Sequence, residues 1–463
     1  MDMSNGTKKQ PNVIVFFTDQ QRWDTMGLHG NPLNLTPNLD RMATYGTHIP
    51  YAFTCQPVCG PARSCLQTGL YATESGCFTN GIPMREDADT IARAFNESGY
   101  ETAYMGKWHL ASTRTEPVPV EKRGGYQRWL AADSLEHTSD AYRTVLFNEE
   151  NERVELPGYR VDALTDAAIR YVGDQRGKER PFFLFISYLE PHHQNHRDDY
   201  PSPDGYRGNY TGRYVPPDLA ALGGTAHQHL DGYYGMVKRL DEALGRLMDA
   251  LKSLDFADNT IIAFTSDHGC HFKTRNSEYK RSCHESSIRV PMAFTGPGFS
   301  GGGSVRELVS LIDLPPTLLD AAGIEVPQQM QGRSLLPLLR GGSAGGDAAS
   351  EWPREVFVQI SESQVARAIR TGRWKYGVTA PERNPIKDSG SSEYVEEFLY
   401  DLMADPYELS NLVDSESHEA VRIHLRERLI SRMLEAGEDA PIIVPLPMKP
   451  SGQLRVLTEE IEQ

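Results

Sequence analysis

Short, almost wholly apolar runs that end in polar residues recur along this chain. Three of them are Asn12 to Thr18, Phe182 to Ser187 and Ile261 to Thr265. They lack the alternation of apolar and polar positions expected of a strand with one face in water. Such runs are typical of parallel strands buried on both faces by helices. The pattern therefore predicts a central sheet covered on both sides.

Segments with a helical period lie between these runs. Arg160 to Asp174 repeats apolar residues at helical spacing, and about Gly232 to Leu254 carries a long apolar stripe. Thr36 as the cap and Pro37 at the first position predict a helix that runs to Gly46. Helices are also predicted at 89–98 and 311–322, and strands at 101–105 and 288–295. The alternation of strands and helices indicates an α/β fold with a large mixed, mostly parallel sheet sandwiched by helices.

The pattern changes after a Gly/Ser-rich segment at 341–350. Segments of this composition mark domain boundaries, so we predict a large domain of residues 1–345 and a C-terminal subdomain of residues 346–463. The subdomain has short strand-like runs at 356–360, 365–370, 373–378 and 398–402, followed by a helical segment at 417–435. This predicts a small α+β unit, an antiparallel sheet with one covering helix.

Composition narrows the class of protein. The 463 residues are 39% hydrophobic and 24% charged, as in ordinary globular proteins. The formal net charge of −16 argues against a nucleic-acid partner, because phosphates would be repelled. The apolar run from Val13 to Phe17 is too short for a signal-peptide core or a membrane span. We expect no membrane partner and a cytoplasmic protein as written, or a periplasmic or secreted one if a leader was removed; oligomeric state stays open.

The six cysteines do not suggest a disulfide scaffold. Four of them crowd together between residues 55 and 77, which is unlike the even spacing of small disulfide-rich domains. Cys270 and Cys283 could pair or could remain free thiols. The sequence is compatible with both.

The densest candidate chemistry lies between Cys59 and Gly69, in the segment C-G-P-A-R-S-C-L-Q-T-G. Pro61 suits the first turn of a helix and Gly69 its end, so Cys59 is expected at a helix N-terminus, where unpaired N–H groups favour an anion. Arg63, one turn further on, would point back to the same spot. The segment predicts an oxyanion pocket that contains a nucleophile; the alternative is a buried structural thiol.

Acidic residues follow two of the predicted strands. Asp19 and Gln20 come after the first, and Asp267 and His268 after a distant later one. Ligands of open α/β sheets bind beyond the carboxyl ends of the strands, so these side chains are placed for chemistry. Carboxylate and amide oxygens favour calcium or magnesium. His268 could instead bind a substrate oxygen or shift the preference toward manganese.

Basic residues follow other strands. Lys107 and His109 lie two residues apart at the end of a strand. Lys107 is expected to bind an anion, and His109 to donate a hydrogen bond. Another strand leads to three histidines, of which His192 is expected in the site and His193 and His196 at its rim. The stretch 271–284, which includes Lys280, is unusually basic for an acidic protein. Its local excess of cations suggests an anionic substrate, whereas Lys273 and Arg275 taken singly could belong to a solvated charged loop.

The segment from Cys59 to Gly69 resembles the signature of the type I, formylglycine-dependent sulfatases, C-x-P-x-R followed by T-G, with Ala62 where the family often has Ser. Further blocks resemble the same family in the same order, and they cover nearly the whole chain: Asp19-Gln20, Gly106 to His109, Pro191-His192, Ser266 to Gly269, Lys280 with Glu285 and Arg289 to Pro291, Arg373 to Tyr376, and Leu399 to Leu402. At positions 20 and 268, where the chain has Gln20 and His268, it resembles the choline sulfatases and the related phosphonate monoester hydrolases.

The resemblance implies an alkaline-phosphatase-like fold and a set of roles. Cys59 would be oxidised to formylglycine by a formylglycine-generating or anaerobic sulfatase-maturing enzyme, and its hydrated form would attack sulfur. A divalent metal, with Ca²⁺ favoured and Mg²⁺ or Mn²⁺ as alternatives, would be bound by Asp19, Gln20, Asp267, His268 and the residue made from Cys59. Roles are also implied for other side chains: Arg63 and Lys107 as stabilisers of the formylglycine, His109 as base, and His192 and Lys280 as sulfate contacts, one protonating the leaving group.

Three classes of function follow from these expectations. The first is a sulfatase that removes sulfate from a sulfated carbohydrate. The second is another hydrolase on the same scaffold, acting on phosphonate monoesters or phosphodiesters, or on choline-type or aryl sulfates. The third is a non-catalytic protein that binds sulfate esters and whose Cys59 is never converted.

Overall fold

The computed structural model describes residues 9–340, 350–449, 456 and 458–462. Its strands are β1 (Asn12–Thr18), β2 (Thr47–His48), β3 (Ala52–Phe53), β4 (Glu101–Lys107), β5 (Arg128–Ala132), β6 (Arg143–Phe147), β7 (Arg153–Pro157), β8 (Phe182–Ser187), β9 (Thr260–Ser266), β10 (Arg289–Val290), β11 (Met292–Thr295), β12 (Val309–Ser310), β13 (Glu355–Ile360), β14 (Ala366–Thr371), β15 (Trp374–Thr379), β16 (Glu393–Asp401) and β17 (Ile442–Val444).

The helices alternate with these strands in the first two thirds of the chain. They are α1 (Pro37–Tyr45), α2 (Cys59–Thr68), α3 (Ala72–Ser75), α4 (Ile91–Glu97), α5 (Leu135–Thr138), α6 (Arg160–Asp174), α7 (Pro217–Ala221), α8 (Ala226–Ser253), α9 (Glu285–Ile288), α10 (Leu314–Ala321), α11 (Leu336–Arg340), α12 (Glu419–Glu435) and α13 (Thr458–Ile461).

The large sheet has nine strands in the order β2-β11-β9-β1-β8-β4-β5-β6-β7. The five strands from β9 to β5 are parallel, while β2, β11, β6 and β7 pair antiparallel at the two edges. This confirms the predicted large mixed, mostly parallel sheet. All five parallel strands release the chain at the same edge, so the residues that follow them can meet.

Helices cover both faces of this sheet, as the apolar runs predict. Val13, Val15 and Phe17 of β1 pack into one buried cluster, whereas Ile14 and Phe16 pack into another on the opposite face. The first cluster includes residues of α2, α4 and α10, and the second includes residues of α1, α6 and α8. Burial on both faces explains why these strands are apolar without alternation.

A second sheet lies in the C-terminal part of the chain, in the order β13-β14-β15-β16-β17. Its first four strands are antiparallel and β17 joins parallel to β16, a small departure from the purely antiparallel prediction. Apolar residues of α12, among them Leu425 and Leu429, pack in one cluster with those of the sheet. The predicted boundary between residues 345 and 346 lies outside the described residues, so the division into two domains stays a prediction.

Two local predictions were wrong for identifiable reasons. The run 288–295 is not one strand: it divides at Pro291 into β10 and β11, which belong to different sheets. Proline has no N–H to give to a ladder and therefore interrupts the pairing. The long apolar helix begins at Ala226 rather than near Gly232.

Thr36 does not cap α1. Its side chain makes no cap bond to the helix, and its hydroxyl lies 3.3 Å from an Asp40 oxygen instead. The carboxylate of Asp241 in α8 accepts the N–H groups of Asn38 at 3.1 Å and Leu39 at 2.8 Å. A residue about two hundred positions away thus satisfies this helix end, which local sequence patterns cannot reveal.

Two further expectations concern thiols and membranes. All six cysteines lie in the described part of the chain and are buried free thiols, so Cys270 and Cys283 are not paired. Within the described ranges, none of the helices combines the length and the apolar character that crossing a bilayer requires.

Candidate active site

Strand register brings the two acidic strand ends together. In the parallel pair β1 and β9, Thr18 lies opposite Ser266, so the next residue of each strand, Asp19 and Asp267, emerges at the same point of the sheet edge. The backbone N–H of Gln20 donates to an Asp267 oxygen at 3.0 Å and ties the two loops together. Gln20 has a positive φ of 69°, which turns the chain sharply there.

Cys59 lies opposite this pair of carboxylates. It is the first residue of α2 and is only 1% exposed. Its sulfur lies 3.6 Å from Asp19 Oδ1, 3.3 Å from His268 Nε2 and 2.8 Å from Lys280 Nζ. The predicted helix N-terminus and the predicted neighbours of Cys59 are therefore present together.

The atoms around Cys59 suit a divalent cation. One ligand atom from each of Asp19, Cys59, Asp267 and His268 lies within 4.8 Å of the others. The amide nitrogen of Gln20 donates to the Tyr200 hydroxyl at 3.0 Å, while its buried oxygen Oε1 has no partner among the described residues. An unpaired buried oxygen is costly unless something binds it. Two carboxylate oxygens, an imidazole and the Cys59 sulfur converge here, and the carboxylates and imidazole are donors typical of hard or borderline metals.

Arg63 and Lys107 bind the carboxylates of this cluster. The Arg63 guanidinium lies 3.0 Å from Asp19 and 3.5 Å from Asp267, and it donates to the Lys107 carbonyl at 2.8 Å. Lys107 Nζ lies 2.9 Å from Asp19 and 3.2 Å from Glu136.

Both cations also act on Cys59. Burial lowers the pKa of Arg63 and of Lys107, but the charges of Asp19 and Cys59 raise both well above their ordinary values. The expected direction of the Arg63 side chain toward Cys59 stays a prediction.

These charges shift the pKa values of the acidic groups. Burial and Cys59 favour the neutral form of Asp19, but Lys107, His192 and Lys280 outweigh them and hold its pKa well below the ordinary value. Burial also raises the pKa of the Cys59 thiol, yet Lys107 and Lys280 bring it well below its usual range. Burial and the charge of Asp19 raise the pKa of Asp267 to about 6. The site therefore stabilises negative charge at Asp19 and at residue 59.

A cavity of about 210 Å³ opens above Cys59. Its lining includes His109, His192 and Lys280, as predicted, whereas Arg63 and Lys107 are not among the described residues that line it. The side chains of His109 and His192 also interact with the Cys59 sulfur. Burial and the nearby Lys280 lower the pKa of His192, so its ring is neutral near pH 7.

Comparison with known proteins identifies the family. The family model described as Sulfatase matches residues 11–324 of this chain. The chain belongs to the sulfatase family. Sulfatases are sulfuric ester hydrolases of the alkaline phosphatase superfamily, so the chain is an enzyme of this class. A second model, described as N-sulphoglucosamine sulphohydrolase, C-terminal, matches residues 277–435.

Several known sulfatases resemble the chain over most of its length. An ulvan-active sulfatase of Formosa agariphila is 30% identical over 443 residues, which are 93% of this chain and 82% of that protein. An N-acetylglucosamine-6-O-sulfatase of Bacteroides thetaiotaomicron is 26% identical, with coverage of 87% and 83%. A protein solved in complex with its substrate D-glucosamine-2-N,6-O-disulfate shares the fold, with a TM-score of 0.76, 24% identity and coverage of 94% and 99%.

Sulfatase family membership implies a divalent metal and formylglycine in general. The cluster around Cys59 fits both, because it combines converging ligand atoms with a cysteine in the sulfatase motif.

Two residues of this sulfatase site, Glu136 and Asn80, were not predicted from the sequence. Glu136 is buried beside Lys107, which together with His109 lowers its pKa to about 2 against the opposing effect of burial. The signal for it was present: β5 is a short, largely apolar run that ends in polar residues like the strands that were predicted. Asn80 also lines the cavity, in a loop without any apolar pattern that could have indicated it.

Only part of the basic stretch 271–284 faces the cavity above Cys59. Lys273 lies 3.5 Å from Asp198, and Arg275 donates to the carbonyl of Tyr407 at 2.7 Å, so both are engaged away from the cavity. Within the described part of the chain, the basic residues of this stretch that line the cavity are Lys280 and Arg281. His193 lines the cavity as expected of a rim residue, while His196 lies beside Asp140 instead.

Proposed function

We propose that this sulfatase hydrolyses a sulfate ester of a sugar alcohol, with residue 59 as formylglycine. The observation that supports it most directly is the surroundings of Cys59 at the start of α2. A carboxylate of the candidate metal cluster lies 3.6 Å from its sulfur on one side and the Lys280 ammonium 2.8 Å on another. Formylglycine would supply a hydrated aldehyde here, whose oxygen is the nucleophile for sulfur.

The proposed metal ligands are Asp19, Gln20, Asp267, His268 and residue 59. We favour Ca²⁺ because most of these donors are oxygens, with Mg²⁺ and Mn²⁺ as alternatives. When bound, the ion would neutralise sulfate oxygens and orient the nucleophile. The free Gln20 oxygen, which no described residue satisfies, supports this assignment.

The proton donor to the leaving oxygen is proposed to be Lys280. His192 faces the same cavity, but burial and Lys280 lower its pKa, so its neutral ring is poorly suited to donate a proton near pH 7. Lys280 Nζ already donates to the Cys59 sulfur and can bind a sulfate oxygen from the same position. His109, whose buried Nδ1 has no partner within the described residues, is proposed as the base that regenerates the aldehyde.

Arg63 and Lys107 would contribute in two ways. Each binds Asp19, so the carboxylate stays ionised and in place for the metal. Lys107 also lowers the pKa of the Cys59 thiol against the effect of burial, which supports the stabilising role at residue 59 that the family resemblance implied.

A carbohydrate is favoured over an aryl group by the walls of the site. A second cavity of about 710 Å³ shares Asn80, His109 and His137 with the first. Apart from Ile82 and Gly81 its lining residues are polar, with several hydroxyl groups. Polar groups of this kind match a polyhydroxylated alcohol better than the apolar face of a phenol. Relatives named for ulvan and N-acetylglucosamine sulfate esters support the same class.

The proposal is tested by measuring released sulfate from defined sulfated mono- and oligosaccharides. An aryl sulfate and an aryl phosphonate monoester are assayed in parallel. We expect the highest kcat/KM on a sulfated sugar. Faster turnover of the phosphonate would favour the alternative hydrolase class, and faster turnover of the aryl sulfate would favour a small-molecule sulfatase.

Conversion of Cys59 is tested by mass spectrometry of the peptide that contains it. Formylglycine is about 18 Da lighter than cysteine, because one sulfur and two hydrogens are lost and one oxygen is gained. We expect this mass in protein expressed with a maturing enzyme. Unmodified cysteine in all such preparations would support the non-catalytic alternative.

Replacing Lys280 with Ala is expected to lower kcat by roughly 10²–10³-fold, the usual effect of removing a donor that stabilises developing negative charge. Steady-state kinetics on the best sugar sulfate measures this. Lys273→Ala is the matched control, because Lys273 lies in the same basic stretch but pairs with Asp198. An unchanged kcat in Lys280→Ala, or an equal loss in the control, would remove Lys280 from the proposed role.

Removing the metal with EDTA is expected to abolish sulfate release and to lower the thermal midpoint. A ligand bound only by the folded state stabilises it, by about 2.7 kcal/mol at a hundred times its Kd. We expect Ca²⁺ to restore both quantities more effectively than Mg²⁺ or Mn²⁺. Full activity after exhaustive chelation would contradict the proposed metal site.

A further inference from the structure

The turn between β13 and β14 contacts the loops that build the active site. Ser361 Oγ accepts a hydrogen bond from Gln56 Nε2 at 2.7 Å, just before the Cys59 helix. Ser363 Oγ donates to the carbonyl of Arg281, the residue after Lys280, at 2.7 Å. The C-terminal sheet therefore reaches both the nucleophile segment and the Lys280 segment.

Glu362, between these two serines, makes the most contacts. Its carboxylate accepts the Asn80 backbone N–H at 2.6 Å and the Thr79 hydroxyl at 3.0 Å, and it lies 2.5 Å from the Arg281 guanidinium. Its side chain is only 10% exposed. Its φ of 66° is in the left-handed region, which is unfavourable for a residue with a side chain. A carboxylate in this conformation that joins two separate loops suggests a specific role.

Asn80 passes this constraint to the nucleophile. Its Oδ1 accepts the backbone N–H of Gly60 at 2.9 Å, in the first turn of α2 and directly after Cys59. A side chain at position 60 would have its Cβ 2.9 Å from the same oxygen, so the contact is close. The Asn80 carboxamide therefore fixes the backbone on which residue 59 is carried.

We propose that Glu362 is a positioning residue for the sulfatase reaction. Through Asn80 it holds Gly60 and thereby residue 59, and through Arg281 it holds the segment that carries Lys280. Both reacting groups would thus be set by one carboxylate of the C-terminal sheet. This inference rests on the proposed function but goes beyond it, because Glu362 is not among the described residues that line the cavity above Cys59.

Positioning and simple charge balance predict different kinetics. Arg281 also pairs with Glu278, at 2.6 Å, so it keeps one carboxylate when Glu362 is removed. Asn80 would lose two of its bonds to Glu362 and with them its orientation toward Gly60. Misplacing a reacting group by about 1 Å can cost about a hundredfold in rate with little effect on binding. We therefore expect kcat to fall and KM to change little.

The test is a double-mutant cycle with Glu362→Ala, Asn80→Ala and the combined variant. Each single variant is expected to lower kcat by roughly 10–100-fold with KM within about threefold, and the double variant to be no worse than the more impaired single one. Glu397→Ala is the matched control, because Glu397 also bonds the β13–β14 turn, accepting from Gln364 at 3.0 Å, and is not among the described residues that line the cavity; its kcat should stay within about threefold of wild type. Multiplicative losses in the double variant, or an equal loss in the control, would overturn the proposal.

A conservative variant and a structure separate positioning from folding. Glu362→Gln keeps an acceptor for Thr79 and Asn80 and should recover most of the rate lost in Glu362→Ala. All rates are normalised to formylglycine content, and thermal midpoints are recorded; a normalised kcat equal to wild type in Glu362→Ala would overturn the proposal. A crystal structure of Glu362→Ala should show a lengthened Asn80 Oδ1 to Gly60 N distance. This distance tests the inference even if wild type releases no sulfate, a result that would count against the proposed function.

Discussion

Replacing Cys59 with Ala is expected to abolish sulfate release while leaving the fold intact. Alanine cannot be converted to formylglycine, so no nucleophilic oxygen would face the Lys280 ammonium. The sulfur lies in a cluster of charged groups rather than in an apolar core, so its loss leaves little packing unsatisfied. Sulfate release and a thermal melt of the variant measure the two parts of this prediction.

Cys65→Ala is the matched control for this experiment. Cys65 is in the same helix and equally buried, but it packs with Cys55 and Ala72 away from the cavity. The control should retain the formylglycine mass at position 59 and most of the activity, with some loss of stability from the smaller side chain. Turnover near wild type in Cys59→Ala would refute the nucleophile assignment.

Asp19→Asn is expected to abolish activity and also to destabilise the protein by about 3–5 kcal/mol, the usual cost of removing one partner from a buried ion pair. Lys107 and Arg63 are completely or almost completely buried and would lose their closest negative charge. Chemical denaturation in EDTA measures the second effect without a contribution from the metal. A decrease in the free energy of unfolding of less than about 1 kcal/mol would show that Asp19 does not neutralise Lys107 and Arg63.

Asp267→Asn is the informative comparison, because it should cost less stability than Asp19→Asn. The pKa of Asp267 is raised to about 6 by burial and by the charge of Asp19, so its ionised form is unfavourable in the metal-free fold. The pKa of Asp19 is lowered, so its contribution is present above pH 4 or so and is lost as the pH falls through the folded-state value. The difference in free energy of unfolding between wild type and Asp19→Asn should therefore become smaller as the pH is lowered.

The elements that carry the site were predictable because their signals are local. The strand ends at Asp19 and Asp267 follow short apolar runs, and the start of α2 is marked by Pro61 and ended by Gly69. Local patterns of this kind reflect backbone geometry and burial on both faces, which act within one element. The same patterns predicted the helix Arg160–Asp174 and the strand Phe182–Ser187 with their observed limits.

Other features depended on contacts between distant parts of the chain. Two buried carboxylates that follow distant strands, Asp19 and Asp267, hold the guanidinium of Arg63. The cap of α1 is supplied by Asp241, and the basic stretch 271–284 is mostly paired with distant partners such as Asp198. Which charges pair in a buried site depends on three-dimensional proximity, and no spacing along the chain records it.

By itself, the sequence determined the class of fold, the position of Cys59 at a helix start and the acidic strand ends, because each is set by a few adjacent residues. Only the tertiary structure decided which buried charges neutralise each other, that Glu136 and Asn80 join the site, and that the C-terminal sheet reaches it through Glu362. The physical reason is that the energy of a buried charge or hydrogen bond depends on its immediate neighbours in space. In this protein those neighbours come from segments as far apart as Gly60, Asn80 and Glu362.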